Sequence, residues 1–390
     1  MSNALRGAVA IVGAADEVSP TGEIDLPMRA LEARVVRAAL DDAGLEPSDV
    51  DGLCMCTGGT LMHSVELAEH LGIQPSWTDS TQIGGASYEL YVEHAASAIA
   101  AGLCETVLIV YASTPRASRR RGGAGMGILA TPERLEWETP YGIFLPIGAY
   151  GLAASRHMAV YGTKPEELAQ IAVDTRRWGS MNERAYARDP ITVDDVLGSG
   201  YVAEPMHKLE YCLVTDGAGA IVVTSAARAR DLAKPPVWML GAATHHTHSM
   251  ISQMPDLTTT AGVQSGERAF AMSGLRPDDI DVVELYDSFT ITVLLALEDL
   301  GFCAKGEGGA FVSDGRLGPG GALPAQTSGG GLSYTHPGAF GMFLLVEATR
   351  QLRGESGERQ VAGARTAVAH GCGGVLSATS TVVLGTEEVL

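Results

Sequence analysis

The sequence predicts an α/β protein built as two similar halves, and three observations lead there. The first is a repeat: AGLEPSDVDGLCMC begins at Ala43 and SGLRPDDIDVVELY at Ser273, 230 residues later, sharing G-L-x-P-x-D-(V/I)-D. The second is a helix after each copy, entered through a glycine-rich turn: GGASYELYVEHAASAIAAG in one half, HPGAFGMFLLVEATRQLRG in the other. The third is the alternation of short apolar strands with helical patterns along the chain. Matching order on both sides of a repeated motif implies duplication, with halves at about 1–230 and 231–390.

Each element has a local reason. Val9–Gly13 is an apolar run that opens the first half as a strand, and Met28–Ala43 places apolar residues at helical spacing. Each repeat closes a helix at glycine, turns through Pro and Asp, and launches a strand, the first being Val50–Cys56. Ser87–Ala101 is a helix, and Thr106–Tyr111 (TVLIVY) and Ala218–Thr224 (AGAIVVT) are buried strands. Between them, a stretch at about 112–205 breaks the pattern with Gly, Pro and charge, and reads as an irregular insertion in the first half.

Composition narrows the function. Of 390 residues 46% are hydrophobic and 19% charged, the balance of a compact folded protein. A formal net charge of −19 argues against general nucleic-acid binding, which needs excess Lys and Arg. Arg116, Arg119, Arg120 and Arg121 form the one basic cluster, equally a solvated loop or a phosphate contact. The six cysteines, at 54, 56, 104, 212, 303 and 372, are too scattered for a disulfide framework, and Cys54-Met-Cys56 lacks the second pair that zinc needs. His245, His246 and His248 lie close together without an acidic or cysteine partner in register, so they read as a pocket-lining or surface loop and no metal is expected. There is no signal-peptide plan and no apolar run of roughly 18 residues, so the expectation is a soluble cytoplasmic protein without a membrane span.

The stretch GGGLSYTHPGAFG, residues 329–341, concentrates the chemistry. Glycine-rich turns can cradle a phosphate or hold acid–base side chains in a tight, water-poor pocket, and here Tyr334 and His336 stand two residues apart. The stretch resembles the thiolase signature N-x-x-G-G-x-x-A-x-G-H-P-x-G-x-x-G. Asp216–Ala220 (DGAGA) resembles the thiolase D-G-A-A-A segment, Glu284–Thr290 (ELYDSFT) the N-E-A-F-A or H-D-C-F segment, and His370–Gly374 (HGCGG) the C-terminal C-x-G-G-G. The resemblance covers nearly the whole chain. It implies the thiolase fold: two β-α-β halves in five α-β-α-β-α layers, dimeric, with an inserted loop region over the substrate.

Departures from that pattern change the implied chemistry. The place of the thiolase nucleophile falls at Gly85, which cannot form an acyl-enzyme, and the place of the acid–base cysteine falls at His370. Tyr286 stands for the Asn or His of the second motif, while His336 of H-P-G is kept. This cysteine-less pattern is similar to the lipid-transfer-protein aldolases of steroid side-chain degradation, relatives of the sterol carrier protein thiolases. That resemblance implies retro-aldol cleavage of a β-hydroxy steroid acyl-CoA to a ketone and propionyl-CoA, with Tyr286 and Tyr334 as acid–base pair and His336 stabilising the thioester enolate. His370, Gly373, Gly374, Gly85 and Asp287 are the implied supporting residues, and Gly84 and Gly85 are expected to leave space for a bulky substrate. It further implies a homodimer, a small OB-fold/zinc-ribbon acyl-CoA-binding partner, and no cofactor, CoA being part of the substrate. Two other readings stand beside it: a divergent thiolase or acyltransferase using Cys372 or Cys54, and a non-catalytic acyl-CoA- or lipid-binding subunit.

Overall fold

A computed structural model describes residues 3–56, 61–120, 131–143 and 146–390. Its strands are β1 (Val9–Val18), β2 (Gly52–Cys54), β3 (Trp77–Asp79), β4 (Thr106–Ser113), β5 (Tyr201–Ala203), β6 (Met206–His207), β7 (Gly217–Ser225), β8 (Val237–His246), β9 (Val282–Leu285), β10 (Thr366–Gly373) and β11 (Ala378–Gly385). Nine of them form one mixed sheet in the order β3-β2-β4-β7-β1-β8-β11-β10-β9, and β5 pairs with β6 as a separate hairpin. The order is a palindrome of the duplication: β2-β4-β7-β1 on one side answers β9-β10-β11-β8 on the other. Only two registered pairs, Ala10↔Trp238 and Ile11↔Val237, join the halves at the centre.

Five layers follow from where the helices pack. Met28–Ala43 covers β1, β7 and β4 from outside, and Gly262–Ser273 covers β8 and β11 in the same way. Ser87–Ala100 and Gly341–Arg353 touch strands of both halves and each other, so they form the central layer. A second pair of matching segments, IVGAA at 11–15 and MLGAA at 239–243, sets the outer packing. A Cβ on Gly13 would lie 2.2 Å from the Ala39 carbonyl oxygen, and one on Gly241 2.1 Å from that of Ala269. Both outer helices therefore press backbone to backbone on their strands.

The repeated motif has the same physical content in both copies. Gly44 and Gly274 end their helices in the left-handed conformation, at φ 71° and 72°. Asp49 and Asp279 each accept the backbone N–H three residues earlier, at 2.8 Å from Glu46 and 2.8 Å from Arg276. Asp51 then accepts the Glu105 and Thr106 amides at the start of β4, and Asp281 those of Arg365 and Thr366 at the start of β10. The final aspartate thus ties the strand it precedes to the next parallel strand, at the point where both enter the sheet.

The insertion departs from expectation. Its described residues are mostly helical, with Pro115–Arg120, Pro132–Trp137, Ile147–Tyr161, Pro165–Ser180 and Val193–Leu197, and then the β5–β6 hairpin. Glycine and proline there punctuate short helices instead of preventing them: Pro165 opens the longest at its first position, where no N–H is needed. The Val50–Cys56 strand is also shorter than read, being three residues. Among the described residues no helix is long and apolar enough to cross a membrane.

Replacing Asp51 or Asp281 by Ala should cost about 1–3 kcal/mol each, since each strands two strand-entry amides, and the two losses should add. Denaturant midpoints of the two single variants and the double variant measure this.

Candidate active site

The glycine-rich turn is built around an anion supplied by the chain itself. Asp287 comes just after β9 and is fully buried, and the Gly331 and Leu332 amides donate to its two oxygens at 2.6 and 3.1 Å. Gly329 and Gly330 adopt φ 101° and 60°, and a Cβ on Gly330 would lie 2.1 Å from Asp287 Oδ2. Glycine is needed twice over, for the left-handed backbone and for the closeness of the carboxylate. Burial pushes the Asp287 pKa up to about 7 against the pull of these amides. The nest that a phosphate would occupy elsewhere is filled by this side chain.

Asp287 is covalently next to Tyr286, so the same clamp brings Tyr286 to the far end of the loop. Its hydroxyl lies 3.1 Å from His336 Nε2 and 3.1 Å from the Gly338 carbonyl, and accepts the Phe340 amide at 3.1 Å. Phe340 caps the N-terminus of the Gly341–Arg353 helix, whose positive end therefore faces the phenol oxygen. Burial drives the Tyr286 pKa well above its ordinary value, and the Phe340 amide opposes that shift. His336 is half-buried, and desolvation lowers its pKa to about 4, so at neutral pH it is an uncharged imidazole. Gly338 and Gly374 are exposed, which opens this group to solvent.

Tyr111, at the end of β4, repeats the Tyr286 contact one residue earlier. Its hydroxyl donates to the Pro337 carbonyl at 2.8 Å and accepts the Ala339 amide at 2.9 Å. Two phenols thus hold the HPGAF backbone in step. Tyr150, from the insertion, stacks on Phe289 at 4.1 Å, and its hydroxyl interacts with Ser288 and Cys372. Sequence reasoning passes over both. Tyr111 has a signal, ending a buried strand on a polar tip, whereas Tyr150 lies in a region with no motif.

Gly85 is where the ring of Tyr286 goes. A Cβ there would meet Tyr286 Cε2 at 2.3 Å and the Cys372 carbonyl oxygen at 2.6 Å. The expectation that Gly84 and Gly85 leave room for a bulky substrate is corrected: that space holds the tyrosine. Gly84 abuts the Gly374 amide and Gly373 Cα, and a Cβ on Gly373 would overlap the Ile83 carbonyl, so these glycines serve close backbone apposition.

Two predicted residues sit elsewhere. The Tyr334 hydroxyl donates to Asp16 Oδ2 at 2.5 Å, and Asp16 is paired with Arg184 at 2.8 Å and Arg350 at 2.6 Å. Against the cost of burial, the two arginines hold Asp16 below the usual carboxylate range; burial, then Asp16, raises Tyr334. The structure therefore does not bring Tyr334 to Tyr286 and His336: its hydroxyl is spent on a cluster joining β1, the insertion and the Gly341–Arg353 helix. His370 hydrogen-bonds Thr381 at 2.8 Å through Nδ1 and lies against Gly262 of the outer helix, and burial alone lowers its pKa to about 4. Its backbone carbonyl, by contrast, receives the Tyr286 amide at 2.9 Å. His370 thus supports the site through its backbone, its ring facing the outer helix.

Among the described residues no three His, Cys, Asp or Glu side chains are grouped to hold a metal ion, and His248 bonds the Val375 carbonyl at 3.0 Å and Thr247 at 2.8 Å. Arg116 lies over the Tyr186 ring and Arg120 pairs with Glu23, while Arg121 is outside the described residues.

Known proteins of this architecture share the sequence as well. The model of the Thiolase C-terminal domain-like family matches residues 243–386. A steroid side-chain-cleaving aldolase of Thermomonospora curvata is 37% identical over 372 residues, covering 90% of this chain and 92% of that protein. The 17-hydroxy-3-oxo-4-pregnene-20-carboxyl-CoA lyase of Mycobacterium tuberculosis is 37% identical, covering 90% and 93%. A solved Ltp2–ChsH2(DUF35) aldolase superposes with a TM-score of 0.88 at 34% identity, over 98% of this chain and 99% of that one. With the duplicated five-layer frame, the motif order and this similarity along its whole length, the chain belongs to the thiolase superfamily, among the relatives of its steroid side-chain-cleaving aldolases.

Proposed function

We propose that the protein is an acyl-CoA aldolase that cleaves the Cα–Cβ bond of a β-hydroxyacyl-CoA, a steroid side-chain thioester, to a ketone and propionyl-CoA. The observation that carries this reading is the Tyr286 ring standing where a cysteine nucleophile would be, with its hydroxyl against His336. Retro-aldol cleavage needs no nucleophile. It needs a base for the β-hydroxyl proton, hydrogen-bond donors for the enolate oxygen, and an acid for Cα.

One proton leaves the β-hydroxyl and one reaches Cα, so a single acid–base pair closes the cycle. The Tyr286–His336 pair takes the hydroxyl proton, the Cα–Cβ electrons pass into the thioester enolate, and the pair returns the proton to Cα. The Phe340 amide steadies negative charge on the Tyr286 oxygen during the transfer. Tyr334 then acts by fixing the loop that carries His336, not as the second acid–base group. By this reading the partner is a small OB-fold/zinc-ribbon acyl-CoA-binding protein, in line with the ChsH2(DUF35) named with the solved relative, and the enzyme is a homodimer.

Cysteine chemistry has little support. Burial pushes the Cys372 thiol up to about 12 and Cys54 well above its ordinary value, so neither supplies a thiolate at neutral pH.

Incubation with a β-hydroxy steroid acyl-CoA, together with an OB-fold/zinc-ribbon acyl-CoA-binding protein of the ChsH2(DUF35) kind, should release propionyl-CoA and a C–C-cleaved ketone, detected by mass spectrometry. Absence of both products overturns the reading. Tyr286→Phe should lower kcat by about 10²-fold or more with the fold intact. Tyr334→Phe should instead lower stability by about 1–3 kcal/mol, because Asp16 loses a buried partner, with a smaller effect on kcat. Circular dichroism melts beside the turnover assay separate the two.

The His336 pKa makes a prediction about the imidazole itself. A depressed value keeps it neutral down to about 4, so the ring should show no titration near the ordinary value of 6.5. Its NMR resonances followed from pH 4 to 8 check this apart from the rate, in which Asp287 at about 7 also titrates, and a midpoint near 6.5 overturns the assignment.

A further inference from the structure

One helical turn beyond Gly85, the helix Ser87–Ala100 carries a carboxyl that no role assigned so far explains. Glu89 is 0% exposed, and neither of its carboxyl oxygens has a hydrogen-bond partner among the described residues. It fits because two neighbours lack side chains: a Cβ on Gly341 would lie 2.3 Å from Glu89 Oε2, and one on Gly371 also 2.3 Å. Gly341 ends the GGGLSYTHPGAFG stretch, and Gly371 is the second residue of HGCGG. Gly85, in the 3-10 turn Gly84–Ala86 that leads into this helix, is four residues before Glu89 and abuts the Tyr286 ring. The three segments that frame the site therefore close on one side chain.

We propose that Glu89 is a positioning residue for the reaction: its enclosed carboxyl locks the Gly85 turn, the HPGAFG segment and the HGCGG strand in the arrangement that aims Tyr286 at His336. An ionised, unpaired carboxylate cannot be kept in such a place, so the group is present as the neutral acid and the lock opens when it ionises. Burial pushes its pKa up to about 8. The titratable groups around it are Cys372 on β10, Tyr286 across Gly85, and Glu93 one turn on, which Thr244 hydrogen-bonds; the Gly341–Arg353 helix meets it with Gly341 itself. Among the described residues no cation faces it to stabilise the charged form.

The consequence for rate rests on the aldolase reading, but the consequence for stability does not. With the folded pKa at about 8 and the ordinary value at 4.5, the folded state holds a proton that the unfolded state releases across that window. The contribution is full below pH 4.5 and is lost as pH rises to about 8, the unfolding constant growing by about tenfold per pH unit from this group. The experiment compares wild type, Glu89→Gln and Glu89→Met by denaturant unfolding from pH 5 to 9 and by infrared spectroscopy, with kcat measured on the same samples. Expected are a wild-type unfolding constant that rises relative to that of either variant by about tenfold per pH unit up to about 8, and a protonated-carboxyl band at pH 7 that Glu89→Gln removes. Also expected is a wild-type kcat that falls by about tenfold per pH unit above 8, a limb the Gln variant lacks. A pH-independent gap, or an unchanged carboxyl band, overturns the proposal. Should neither variant fold, Glu89→Asp takes their place, since Asp287 also contributes to the wild-type band: a band at pH 7 that this variant leaves unshifted overturns the proposal. If wild type cleaves no β-hydroxyacyl-CoA, the aldolase reading fails, while the stability and infrared results still judge Glu89.

Discussion

Asp287 in its glycine nest is the interaction on which the geometry of the site depends. Tyr286 arrives on the rigid end of β9, and His336 arrives on a loop whose glycines would otherwise sample many conformations. The Gly331 and Leu332 amides, closing on the Asp287 carboxylate, remove that freedom and bring the loop to the residue next to Tyr286. Without the clamp, the imidazole and phenol, carried on different elements, would lose the contact that fixes the loop before His336 and keep only those on the segment around and after it. The tyrosines at 111 and 286 then fix the segment after His336 by taking carbonyls and amides in alternation. A loop rich in glycine is thus held by side-chain groups of its neighbours, each of them buried.

The duplication explains why such a loop has a stable base. Both halves use the same aspartates to tie parallel strands at their starts, and the same strand glycines to seat an outer helix. That leaves the central helices and the ends of the strands free to differ. The first half contributes the Gly84–Gly85 turn and the helix Ser87–Ala100 after it, and the second half contributes Tyr286, His336 and the HGCGG strand. Chemistry can therefore change by altering what stands between these parts, while the sheet that positions them stays as it is.

The sequence carries the frame well because the frame is local. A glycine helix stop, an Asp that caps a turn and an Asp that pairs with the next strand are all written within nine residues, twice. Tyr286, His336 and Asp287 are legible for the same reason: they lie inside motifs whose spacing sets their meeting. Tyr334 shows the limit. It stands two residues from His336 in the chain, yet its ring turns to Asp16, 318 positions earlier. Partners at that separation leave no periodic trace in a single sequence. The insertion misleads because its glycines and prolines fall between and at the ends of helices: Ile147–Tyr161 and Pro165–Ser180 are about as long as Met28–Ala43, but short helices and turns surround them.

What replaces the missing cysteine is a site poor in charge. His336 is a neutral imidazole, His370 likewise, Cys372 a buried thiol and Glu89 a protonated acid at neutral pH. Of the guanidinium groups at the loop, Arg184 and Arg350 are committed to Asp16, and Arg176 donates to Ser333 Oγ and the Asp189 carbonyl. An enolate formed here would enter surroundings whose polar groups are mostly oriented N–H and O–H dipoles, the Asp287 carboxylate being already met by the Gly331 and Leu332 amides. In a medium of low polarisability such dipoles gain most from a charge that exists only in the transition state and the intermediate, and they hold a neutral substrate no more tightly. A cysteine thiolate would have placed a permanent negative charge beside that oxygen. Filling its position with an uncharged phenol removes the repulsion, and the same substitution that ends acyl transfer makes the pocket suited to an enolate.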